Sequence, residues 1–210
     1  MINGLRSFTL IELMIAATIF AIVMVSVFSS FRSGVLSVRT VDSNTELFQT
    51  GRVTLEQLNA DLRNSFAYKA NFTGFLGTAQ ELTFFTVVDN YVNGQIMPEL
   101  SRVSYASVEN NGQSKIVRSS LLGLAALEND SSGYPESLAE NAQLCLRYGY
   151  LVNGSEAEGL QFKDSWASKD TEESERAKLP QAVEATVIFN VTGEKEKRFQ
   201  RTIYLPLAKQ

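Results

Sequence analysis

Histidine is absent from this 210-residue chain. That single absence removes Ser-His-Asp and Cys-His catalysis, and with them the commonest zinc ligand. Cysteine occurs once, as Cys145, so no intramolecular disulfide can form. Between Leu144 and Leu146, Cys145 is expected to be a buried small hydrophobe. Outside the N-terminal segment there is no run of Lys or Arg, and the net charge is −4. Phosphate-neutralising clusters are therefore missing, and no nucleic-acid partner is expected. No Gly-rich phosphate loop or Walker pattern occurs, so the chain is not expected to hydrolyse nucleotide. Proline is missing from residues 8 to 66, which leaves nothing in that stretch to break a helix.

What the sequence does have is an uneven supply of apolar residues. From Leu13 to Val25 every residue is apolar except Thr18. Extended to Leu10 and Phe28, the run holds 19 residues with Glu12 as its only charge. As a helix this is about 28 Å, close to the hydrocarbon thickness of a bilayer. A secretory signal's apolar region is shorter, typically ~7–15 residues. The segment is expected to span a membrane. Glu12 is the informative position, because a carboxylate in an apolar span costs on the order of 2.5–3.5 kcal/mol and needs a partner or a task. Alone it would read as a snorkelling acid at the interface.

Glu12 does not stand alone. The run Arg6-Ser7-Phe8-Thr9-Leu10-Ile11-Glu12-Leu13 resembles the prepilin signal of type IV pilins and type II secretion pseudopilins. The resemblance implies cleavage between Ser7 and Phe8, N-methylation of Phe8, and an assembly role for Glu12 as fifth residue of the mature chain. An ammonium on one subunit can then pair with Glu12 of a neighbour, and a mismatch in an apolar bundle is strongly disfavoured. The family usually has Gly before the cut. Ser7 stands there instead, so slower cleavage is expected. Charge does not settle orientation, since Arg6 precedes the span and Arg32 and Arg39 follow it. The resemblance implies a cytoplasmic N-terminus, a single pass through the bacterial inner membrane, and a periplasmic C-terminal domain.

Beyond the span, Leu47, Leu55, Leu58, Leu62 and Phe66 recur at helical spacing, with Gly51 on the same stripe. One long helix is expected from Phe8 to Phe66, with a weak point or bend near Gly34 in the Ser-rich stretch 29–37. From residue 71 the period changes. Short strands are expected at 82–88, 100–108, 115–122, 144–151, 160–163, 183–191 and 199–207. Turn signals at Asn93-Gly94, Asn110-Asn111-Gly112, Asn153-Gly154 and Thr192-Gly193-Glu194 separate them. Residues 128–141 and 165–178 read as polar loops.

The expected fold class is α+β and pilin-like, a long N-terminal helix, half transmembrane and half amphipathic, packed on an antiparallel β-sheet domain. Its divisions are a leader at 1–7, a transmembrane helix at 8–31, an amphipathic helix at 32–70 and a periplasmic β-rich domain at 71–210. Within that frame five fragments resemble the J-type minor pseudopilin of type II secretion. They are Asp61-Leu62-Arg63, Leu82-Thr83-Phe84-Phe85, Arg102-Val103-Ser104-Tyr105, Gly159-Leu160-Gln161-Phe162 leading into Trp166, and Leu179-Pro180-Gln181-Ala182-Val183-Glu184. This implies a subunit of a pseudopilus tip complex. Its partners would be the I-type and K-type minor pseudopilins, the major pseudopilin, prepilin peptidase, the inner-membrane assembly platform with its separate ATPase, and membrane lipid. The alternative is a minor pilin of a type IV pilus, serving priming, adhesion or DNA uptake.

Acid pairs could in principle do acid/base work. The candidates Glu156/Glu158, Glu128/Asp130 and the cluster at 170–175 sit in loop-like segments beside Lys or Arg, and read as solvated surface. A calcium loop starting at Glu128 lacks its closing carboxylate, because the twelfth position is Ala139. No catalytic residue, metal site or cofactor is expected, and the chain is not expected to be an enzyme.

Overall fold

The computed structural model describes residues 9–68, 74–92, 94–110, 112–128, 133–151, 159–167, 178–190 and 196–209. The chain divides into two units, Met1–Leu47 and Phe48–Gln210. Helix α1, Leu10–Arg63, runs for 54 residues through both. The expected weak point at Gly34 is not a break: helical hydrogen bonding continues through it. The expected end at Phe66 is corrected by three residues. The Ser65 hydroxyl and amide both donate to the Leu62 carbonyl, at 2.6 and 3.1 Å. The Phe66 amide then donates to the Phe85 carbonyl at 3.2 Å, so Phe66 is already extended chain.

The second unit holds two antiparallel sheets. The first has the order β1-β2-β3-β4-β5, with β1 Leu76–Gly77, β2 Glu81–Val92, β3 Gln95–Asn110, β4 Gln113–Leu122 and β5 Tyr134–Glu140. Two of its hairpins close where the Asn-Gly pairs predict. Val92 pairs with Gln95 around Gly94, and Asn110 pairs with Gln113 around Gly112. Both glycines have positive φ, 82° and 75°, which a two-residue turn of matching twist demands. Asn93, Asn153-Gly154 and Thr192-Gly193-Glu194 lie outside the described residues. A short helix, α2 (Ala125–Glu128), leads from β4 toward β5.

Strand β5 corrects the expectation of a polar loop across 128–141. Its composition, Tyr-Pro-Glu-Ser-Leu-Ala-Glu, hides it, since most of its side chains are exposed. An edge position explains this: only one side needs pairing, and Pro135 is tolerated there. Strand β1 is two residues long and carries no periodic signal.

The second sheet has the order β7-β6-β8-β9, with β6 Ala142–Leu151, β7 Leu160–Lys163, β8 Ala182–Phe189 and β9 Lys197–Tyr204. Alternation directs Leu144, Leu146 and Tyr148 of β6, and Val183, Ala185, Val187 and Phe189 of β8, into the core. Cys145 falls on the opposite phase. It is half-buried with a free thiol, not the fully buried hydrophobe expected from its neighbours.

The helix contributes Leu55, Leu58 and Leu62 to this core. Gly51 lets it approach closely. A Cβ there would meet Phe199 Cδ2 at 2.9 Å and Phe189 Cε2 at 3.2 Å. Phe48 packs edge-on against Phe199, 5.1 Å between ring centroids.

Candidate functional site

At its N-terminal end, α1 opens on a reciprocal cap. The Thr9 amide donates to Glu12 Oε2 at 3.2 Å, and the Thr9 hydroxyl donates to the same oxygen at 3.1 Å. The Glu12 amide donates to Thr9 Oγ1 at 3.4 Å. Thr9 is therefore the N-cap and Glu12 the third helical residue, a capping box that satisfies two helix-end donors. The carboxylate also sits at the positive end of the helix dipole. Thr9 was not singled out from the sequence. The signal that finds it is Thr-x-x-Glu ahead of an apolar run.

From Leu10 to Val38 the helix is 29 residues long and apolar enough to cross a membrane. Its large side chains between Leu10 and Phe31 leave half or more of their surface uncovered. A surface that apolar needs lipid or other apolar helices around it. Thr18 and Ser26 do not spoil it, because their hydroxyls bond back to the carbonyls of Met14 and Ile22. Glu12 is placed in the first turn, at the end of the span, where a carboxylate is least costly. Ser7 and Phe8 lie outside the described residues.

At the other end of α1, Asp61 is buried against the first sheet. Its Oδ2 accepts from the Tyr105 hydroxyl at 2.6 Å and from Arg118 Nε at 2.8 Å. Its backbone carbonyl accepts from the Thr86 hydroxyl at 2.8 Å. Burial, then the Asp61 charge, pushes the Tyr105 phenol far above its ordinary value, so it remains a donor. Burial alone would lower the Arg118 value. Its hydrogen bond to Asp61 and the attraction of that charge more than offset this and raise it. The group is a charge-compensated clamp between helix and sheet. Asp61 and Tyr105 belong to two fragments picked out separately in the sequence. Arg118 carried no signal.

The fragment that leads into Trp166 is held by local contacts. Trp166 Nε1 donates to the Lys178 carbonyl at 2.9 Å, and the Lys163 ammonium lies 4.5 Å from the Trp166 ring centroid. Glu156, Glu158, Asp130 and the acidic cluster at 170–175 lie outside the described residues, as does the Glu128 side chain. No group of three or more acidic or cysteine side chains that could hold a metal occurs among the described residues.

A family model described as the prokaryotic N-terminal methylation motif matches residues 4–28. The match covers Ser7, Phe8, the Thr9–Glu12 cap and the apolar run as far as Phe28. Comparison with curated proteins gives no match. The chain thus carries a type IV pilin-like prepilin signal, on a long apolar helix followed by an antiparallel β domain of pilin-like α+β class.

Proposed function

We propose that this chain is a minor pseudopilin of J type, a structural subunit of the pseudopilus tip complex in type II secretion, and not an enzyme. The observation that carries the reading is the methylation motif at residues 4–28 with Glu12 in the first turn of a helix able to cross a membrane. The order of the five J-like fragments adds support, as does the contact of two of them through the Asp61–Tyr105 bond. In this reading prepilin peptidase cuts between Ser7 and Phe8, and Phe8 is methylated. The N-terminus starts in the cytoplasm and the β domain stands in the periplasm. The helix then leaves lipid for the bundle formed with I-type, K-type and major pseudopilins, driven by the inner-membrane platform. Glu12 exchanges its own cap for a neighbour's ammonium, which marks the packing register.

The test is co-purification from membranes. The intact chain should bring down I-type and K-type siblings, and Glu12→Leu should insert equally well but lose them. Normal recovery of siblings by Glu12→Leu would sink the pairing role. Recovery of pilus minor subunits in place of I and K types would move the chain to a type IV pilus.

A further inference from the structure

The edge of the second sheet carries a feature that the proposed function leaves without a role. Strand β9 is last in its sheet, so its outer edge has no strand partner among the described residues. Between α1 and the C-terminal half of β9 lies a groove of about 460 Å3, lined by Asn59 and Arg63 of the helix, by Gln181 just ahead of β8, and by residues 201–206. Arg52, Glu56, Asn59 and Arg63 recur at helical spacing on one face of α1. Arg201 reaches from β9 to Glu56, Nη1 to Oε1 2.8 Å. Arg63 is exposed and has no ion-pair partner among the described residues, and the same holds for Arg52. A chain of net charge −4 thus places Arg63 and Arg201 in one groove, with no acid in its lining, beside a strand that has no outer partner among the described residues.

We infer that this groove binds an extended acidic segment of a partner protein, added as a strand along β9. Backbone groups of the segment pair with the free edge, and carboxylates on alternate residues meet Arg63 and Arg201. Strand addition supplies affinity through main-chain bonds, and charge supplies selectivity. Alternate side chains of a strand share a face, so an acidic residue at every second position presents its charges toward one wall. Glu56 acts as an internal competitor, because its bond to Arg201 must be exchanged for the incoming carboxylate.

The rival explanation is that charged side chains on an edge strand guard against aggregation. It predicts no preference among added peptides. The experiment uses the full chain in nonionic micelles and fluorescein-labelled peptides of eight residues, the length of β9. Alternating Glu-Val, Gln-Val and Lys-Val peptides are compared by anisotropy. The Glu-Val peptide should bind, with affinity falling as salt is added. The Gln-Val peptide should bind at least about fivefold more weakly, and Arg63→Gln should weaken the Glu-Val peptide by about fivefold. Glu56→Gln should tighten it. Equal binding of Glu-Val and Gln-Val, binding of neither, or no tightening in Glu56→Gln overturns the inference. So does self-association of the chain that Arg63→Gln abolishes, since a second copy would then be the occupant.

Discussion

The Tyr105 hydroxyl donates to Asp61 Oδ2 at 2.6 Å across 44 positions of sequence, and so ties the end of α1 to the middle of β3. The same oxygen holds Arg118 of β4 at 2.8 Å, so one carboxylate links three elements. Beside it, the Ser65–Thr86 bridge and the Phe66–Phe85 hydrogen bond continue the attachment. These directional bonds fix the register of the end of α1 on the first sheet, which non-directional apolar packing by Leu58 and Leu62 does not do by itself.

Asp61→Asn should destabilise the β-domain unit by about 2–3 kcal/mol, since it leaves the part-buried Arg118 charge without its counter-ion. Tyr105→Phe should cost less, about 1–2 kcal/mol, because Arg118 still satisfies the carboxylate. Urea unfolding of the full chain in micelles, followed by the fluorescence of Trp166, measures both. Equal losses in the two variants would show that the charge pair is not the stronger element.

Alkaline pH should weaken the same unit. Burial holds the phenols of Tyr105 and Tyr148 above the ordinary value of 10.0, with the charges of Asp61 and Glu81 acting in the same direction. The unfolded chain releases these protons near the ordinary value while the folded chain keeps them. Their contribution is therefore complete below pH 10.0 and is lost as pH rises above it toward the folded-state values. Each phenol should cost about 1.4 kcal/mol per pH unit in that window. Urea midpoints taken about one unit below and one unit above the ordinary value test this, with Tyr105→Phe expected to flatten the slope.

Thr54→Val should stabilise the protein by about 1 kcal/mol. The Thr54 hydroxyl is buried inside α1 and makes no hydrogen bond among the described residues. Valine has nearly the same shape and a similar helix propensity, so the change removes an unsatisfied polar group without leaving a cavity. A lower urea midpoint in Thr54→Val would show that the hydroxyl has a partner in the folded protein.

Processing should yield N-methyl-Phe8 as the mature terminus, read by mass spectrometry of the protein recovered from membranes. Ser7→Gly should raise the fraction processed in a pulse-chase, because the smaller residue suits a peptidase pocket that usually receives Gly. An intact Met1, or a cut after the apolar run, removes the processing scheme.

Much of this was legible beforehand, for local reasons. The apolar run and the lack of proline dictate a helix, and the observed end differs by three residues only because Ser65 bonds back to Leu62. The Asn-Gly pairs dictate two hairpins because few residues accept the left-handed conformation those turns need. Strand β5 was not legible, because an exposed edge strand has no hydrophobic alternation to betray it. The Thr9–Glu12 cap is equally local, a Thr-x-x-Glu pattern ahead of an apolar run, but Glu12 alone reads as an acid in need of an outside partner.

What the sequence determined by itself is the anchor: its length, its single acid in the first turn, and the strand period that follows are all short-range properties of neighbouring residues. What only the tertiary structure decided is which polar residues are inside. Asp61 reads as one more polar position on a helix, and Arg118 as one more charge on a strand. Asp61 becomes buried and Arg118 part-buried because the other members of the cluster arrive from distant parts of the chain. The division of the strands into two sheets was decided at the same level. So was the placement of β9 last in its sheet among the described residues, near Arg63, since pairing order depends on contacts between strands and not on the strength of any one of them.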